Sequence, residues 1–202
     1  MSKKKWPYLT PGIRDEEFHQ DRNIPLTKEE VRVLVLSKTR IREDQVIYDI
    51  GAGTGSISIE SALLAQKGKV YAIERNPAAL ELLQKNRELF MVNNLEIVEG
   101  NAPEALEGLP QADRIIIGGS GGRLEKILEV CASRFKGKGI VTVTAVTMNT
   151  LASAQSLLDK EPWKNLQMVQ IGVNRAEKAG KFKIFKALNP VFILTAEGGF
   201  DL

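Results

Sequence analysis

From Gln45 onward, short apolar runs alternate with stretches in which apolar positions recur every three or four residues. The runs are Val46 to Ile50, Lys69 to Ile73, Leu95 to Val98, Arg114 to Ile117 and Ile140 to Thr144, with the length and β-branched content of buried strands. Between most of them the spacing predicts helices near Ser56 to Gln66, Pro77 to Phe90, Arg123 to Phe135 and Met148 to Asp159. Pro77 suits a first helical turn, where its missing N–H would have no intrahelical acceptor in any case. Strand and helix in alternation predict an α/β fold, a doubly wound parallel sheet with helices on both faces.

The pattern is different at the two ends. Residues 1 to 26 carry Pro7, Pro11, Gly12 and Pro25 among scattered aromatics, which predicts an irregular arm rather than a packed element, ahead of a domain from 27 to 202. Thr27 followed by Glu30 reads as a capping box, so a helix is expected from Lys28 to about Lys38. After Lys160 the rhythm stops. Leu166 to Val173 and Val191 to Ala196 read as an antiparallel pair at one sheet edge, joined by a basic linker.

Composition narrows the class without naming a function. An apolar content of 43% and a charged content of 26% are those of an ordinary globular domain, and a net charge of +3 is too small to imply a nucleic-acid partner. No stretch of about 18 apolar residues appears, so no membrane span is expected. The single cysteine, Cys131, excludes an internal disulfide and a multi-cysteine metal site and fits a reducing cytoplasm; a small buried hydrophobe is its expected role. His19, the one histidine, is expected to be a solvated side chain, and no metal site is expected.

The chemistry concentrates at the carboxyl ends of the predicted strands, where this fold class binds ligands. Val46-Ile47-Tyr48-Asp49-Ile50 runs into Gly51-Ala52-Gly53-Thr54-Gly55 and then a helix. The glycines allow a sharp turn and close ligand approach, and free N–H groups at the helix start face the ligand. A dinucleotide fingerprint would require glycine at Ser56, so the spacing is G-x-G-x-G and a nicotinamide-dependent oxidoreductase is disfavoured. Glu74 ends the second strand about 20 residues beyond the loop, where a carboxylate can accept both ribose hydroxyls.

With Asp49 two residues before the first glycine, the loop resembles the first motif of class I methyltransferases. That resemblance implies S-adenosylmethionine as ligand, with Asp49 serving its ammonium group and the segment Glu99-Gly100-Asn101-Ala102-Pro103 gripping the adenine. Asn101, where many relatives carry Asp, keeps an acceptor for the exocyclic amine. After the fourth strand, Ile117-Gly118-Gly119-Ser120-Gly121-Gly122 leaves room for something broad and flat.

A narrower resemblance covers nearly the whole chain. Pro11-Gly12-Ile13 and Asp15 to Phe18 of the arm, Pro25 to Arg32, Asp49 to Ser56 with Ser58-Ile59-Glu60, Ala72-Ile73-Glu74-Arg75, Gly118 to Gly122, and Ala187 to Ile193 resemble the cobalt-precorrin-6B carbon-15 methyltransferase family of cobalamin biosynthesis. The resemblance implies methylation of the corrin ring at carbon 15 with loss of carbon dioxide from the acetate on carbon 12. It also implies a homotetramer. On this reading Thr27, Asp49, Gly51, Ala52, Gly53, Thr54, Gly55, Glu74, Arg75, Asn101 and Ala102 hold the cofactor, and Gly119, Ser120 and Gly121 meet the tetrapyrrole.

Neither a catalytic base nor an acid is identified, and a reduced tetrapyrrole supplies its own electron sink for decarboxylation. The linker with Arg175, Lys178, Lys181, Lys183 and Lys186 around Phe182 and Phe185 fits either a carboxylate-binding rim or guarded sheet edges. The alternatives are a methyltransferase acting on RNA or protein, which should show a stronger basic stripe or an added domain, and a non-catalytic cofactor-binding scaffold.

Overall fold

In the interior strand β1 (Val46–Ile50), Ile47 and Tyr48 point to opposite faces and both are fully buried, which is why the run is apolar without alternation. A computed structural model, which describes residues 6–199, shows what covers each face. Ile47 packs in a core with side chains of α1 (Glu29–Thr39), α2 (Ser56–Leu64) and α3 (Pro77–Phe90). Tyr48 and Ile50 pack with α4 (Leu124–Ala132) and α5 (Met148–Leu158).

The sheet also contains β2 (Lys69–Glu74), β3 (Leu95–Glu99), β4 (Ala112–Ile117), β5 (Phe135–Ala145), β6 (Lys164–Ile171) and β9 (Val191–Gly198). Its order is β3-β2-β1-β4-β5-β9-β6. Strands β1 to β5 run parallel, whereas β9 is antiparallel to both β5 and β6. The chain order reverses between β1 and β4, so a crevice opens there at the carboxyl ends. Among the described residues, no helix is long and apolar enough to cross a membrane.

Several expectations require correction. Residues 1–5 of the arm lie outside the described residues; residues 6–26 are irregular apart from a 3-10 turn at Asp15–Glu17, but they are packed: Ile13, Phe18 and Ile24 are buried, and Phe18 lies against Phe90 with ring centroids 5.0 Å apart. The arm's buried apolar residues, Ile13, Phe18 and Ile24, lack a period because separate tertiary contacts rather than a repeating element bury them. The capping box does not form. Lys28 is the N-cap of α1, no side chain caps it, and the Thr27 carbonyl is taken by Arg32. Helix α4 ends at Ala132, because Phe135 begins β5 by pairing with Ala112.

The basic linker is a second, two-stranded sheet, β7 (Asn174–Ala179) and β8 (Phe182–Ala187), turned at Gly180. All six residues of β8 are exposed, including Phe182, Ile184 and Phe185. The pairing of β6 with β9 and the burial of Cys131 agree with the sequence reading, and the His19 side chain is exposed.

Candidate active site

A cavity of about 330 Å³ lies at the reversal point, walled by the loops after β1, β2, β3 and β4 and by the arm. Its joint is Gly51. With φ of +74° and an added Cβ falling 2.5 Å from the Gly119 carbonyl oxygen, no other residue fits without backbone movement. The β4 loop is fixed to β1 by Gly118 and Gly119, whose N–H groups both reach the Ile50 carbonyl, at 2.9 and 3.2 Å.

Every predicted site residue lines this cavity except Gly55. A Cβ on Gly55 would fall 2.1 Å from Leu83, and its φ is +80°, so the close packing of α2 on α3 requires glycine here. Thr27, Ala52, Thr54 and Ala102 are wall residues, as are Gly119, Ser120 and Gly121. Sequence reasoning missed Ile24, Pro25, Ser56, Ile57, Asn76 and Arg123. Pro25 carries no local signal, yet its carbonyl oxygen stands 3.2 Å from the Cβ position of Gly53.

Two carboxylates dominate the floor. Glu74 accepts from the Arg75 and Asn76 N–H groups through Oε1 and from Gly53 through Oε2, at 2.8, 2.8 and 2.9 Å. It thereby ties the glycine loop to the end of β2. Asp49 is fully buried: Ser58 donates to its Oδ2, and its Oδ1 has no hydrogen-bond partner. Burial pushes the Asp49 carboxyl up to about 6, with a further upward push from Glu74, against the Ser58 hydrogen bond. A buried acceptor without a donor is costly, and a cationic ligand group would satisfy it.

The rim carries cations. Arg75 donates to Asn101 Oδ1 at 3.2 Å and lies over Gly121. Arg123 forks onto Glu104, whose carboxyl this contact lowers to about 2. No residue of the β7–β8 hairpin is among the lining residues.

The features of S-adenosylmethionine match this arrangement: an ammonium for Asp49, ribose hydroxyls for Glu74, and an adenine for the wall at Asn101 and Ala102. Residues 16–197 match the family described as precorrin methyltransferase domain. The chain belongs to that family. Within it, a Pyrobaculum calidifontis relative named "Probable cobalt-precorrin-6B C(15)-methyltransferase (decarboxylating)" is 42% identical, covering 95% of this chain and 98% of the relative. The cobalt-precorrin-6B C(15)-methyltransferase (decarboxylating) of Salmonella typhimurium is 38% identical, over 92% and 95%.

The crystal structure of precorrin-6y C5,15-methyltransferase from Geobacter metallireducens superposes with a TM-score of 0.88 at 40% identity, covering 95% of this chain and 99% of that one. The sheet is mostly parallel with an antiparallel edge, as the sequence pattern implies, and the fold is the class I methyltransferase fold, as the resemblance implies.

Proposed function

We propose that this protein transfers a methyl group from S-adenosylmethionine to carbon 15 of cobalt-precorrin-6B and releases carbon dioxide from the acetate on carbon 12, in cobalamin biosynthesis. The observation that carries the reading is the buried Asp49 Oδ1 without a donor, beside Glu74 and the Gly51–Gly119 joint, in a chain of the precorrin methyltransferase family. The names of the relatives supply the substrate. The protein works as a cytoplasmic homotetramer without a nucleic-acid or membrane partner.

S-adenosylmethionine, when bound, supplies an electrophilic methyl group on a sulfonium. The residues of this chain align and enclose. Asp49 holds the ammonium, Glu74 the ribose, and Asn101 and Ala102 the adenine. The glycine run from Gly118 to Gly122 keeps side chains out of the way of a flat ring, with Ser120 as the only side chain in it. Positioning of the two centres and exclusion of water account for most of the catalysis of such a displacement.

The test is calorimetric titration with S-adenosylmethionine, its demethylated product and NAD, then mass spectrometry of an incubation with cobalt-precorrin-6B. We expect binding of the first two ligands and a corrinoid that has gained one methyl and lost carbon dioxide. Binding without a corrinoid product would overturn the substrate, and absence of binding would overturn the cofactor.

A further inference from the structure

Apart from Asp49, the buried charged side chains among the described residues are Asp15, Arg32 and Glu60, and they form one cluster behind the cavity wall. Arg32, fully buried on α1, donates through Nε to Glu60 Oε1 at 2.6 Å. Its terminal nitrogens donate to the carbonyls of Thr27 and Ile13. Glu60, on the helix that follows the glycine loop, also accepts from the Gly12 and Ile13 amides at 2.8 and 3.1 Å. Asp15 lies 3.4 Å from Arg32 and accepts from the Glu29 amide at 2.9 Å.

The remaining member comes from far along the chain. Arg175, on β7, stands 2.9 Å from Asp15 Oδ2 and forks onto Glu30 at 2.9 and 2.6 Å. Three carboxylates, Asp15, Glu30 and Glu60, therefore face two guanidinium groups. Without Arg175 they would face one, and the nearly buried Asp15 would keep, beside the Glu29 amide, only its longer ion pair with Arg32. An undercompensated buried charge is destabilising, and it is relieved most easily by moving the segment 12–27 toward water. That segment carries Ile24, Pro25 and Thr27 of the cavity wall.

We propose that Arg175 is a positioning residue for the cofactor cavity, holding the arm segment 12–27 in place through Asp15 and Glu30. The proposal rests on the reading that this cavity takes S-adenosylmethionine. It gives the hairpin, which contributes no wall residue, a direct link to the site.

The experiment compares wild type, Arg175→Ala, Arg175→Lys and Glu30→Gln, using calorimetric binding of S-adenosylmethionine and amide hydrogen exchange. For Arg175→Ala we expect affinity to fall about three- to tenfold and exchange at the Glu29 amide to accelerate. The KM for cofactor should rise while kcat at saturation stays within about twofold. Arg175→Lys, which keeps the charge without the fork, should lie between alanine and wild type; a value outside that interval counts against the proposal. Unchanged affinity in a folded Arg175→Ala protein overturns it. If that variant does not fold, Glu30→Gln decides on the same readouts, and unchanged affinity there overturns the proposal. If the wild type binds no S-adenosylmethionine, the cavity reading fails instead, and exchange at Glu29 still reports whether Arg175 holds the segment.

Discussion

Asn86 Nδ2 donates to the carbonyls of both His19 and Thr54, at 3.1 and 2.8 Å, while its Oδ1 accepts from the His19 N–H at 2.7 Å. One fully buried amide on α3 thus joins the arm to the glycine loop. Replacing Asn86 with Ala leaves three backbone groups without their partner, and we expect a loss of about 2–4 kcal/mol in urea denaturation. Affinity for S-adenosylmethionine should weaken in the same variant, since both tethered segments wall the cavity.

Glu74→Ala removes the acceptor of three loop amides together with the proposed ribose ligand. Calorimetry is expected to show binding weakened about tenfold or more, because hydrogen bonds to charged groups contribute about 1.5–3 kcal/mol each. Wild-type affinity in this variant would remove Glu74 from the ribose site.

Asp49 gives a pH dependence of definite sign. Its folded carboxyl titrates near 6 against the usual 3.8, so protonation favours the folded state. That contribution is complete below pH 3.8 and is lost as pH rises through about 6, an effect of about 3 kcal/mol by linkage. Asp49→Asn should therefore raise the melting temperature of the ligand-free protein at pH 7.5. A bound ammonium favours the ionised form, so wild-type affinity for S-adenosylmethionine should decline as pH falls below 6. The asparagine variant should bind weakly with no such slope.

Cys131 is buried, and burial pushes its thiol up to about 12. A thiol-specific reagent at pH 8 is expected to modify it only at the rate of global unfolding. Rapid modification of the native protein would show that the core around α4 opens locally.

The strand and helix alternation was legible because parallel strands covered on both faces are continuously apolar, as Ile47 and Tyr48 show. The glycine loop, Asp49 and Glu74 were legible because a fixed local spacing carries them. The β7–β8 hairpin was legible only as a basic linker that could guard a sheet edge: every residue of β8 is exposed, so burial imposes no alternation. The amino half of β5 was hidden by Lys136, Gly137 and Lys138, which carry no strand signal. Arg32 and Glu60 were unreadable for another reason. Nothing local announces that two charges 28 positions apart will share one buried hydrogen bond.

Among the described strands β9 comes last in sequence, yet it lies between β5 and β6. Synthesis therefore exposes β5 well before its neighbour exists, since the 45 residues after Ala145 must emerge before Val191 does. At about 5–20 residues per second, the nascent chain spends seconds with an open, β-branched edge at Val141 and Val143. A chain broken off before Val191 would keep that edge permanently and offer it to any other strand. Final closure of the sheet thus waits for Val191 to Gly198, and the yield of folded protein should respond to the speed at which the stretch leading to it is translated.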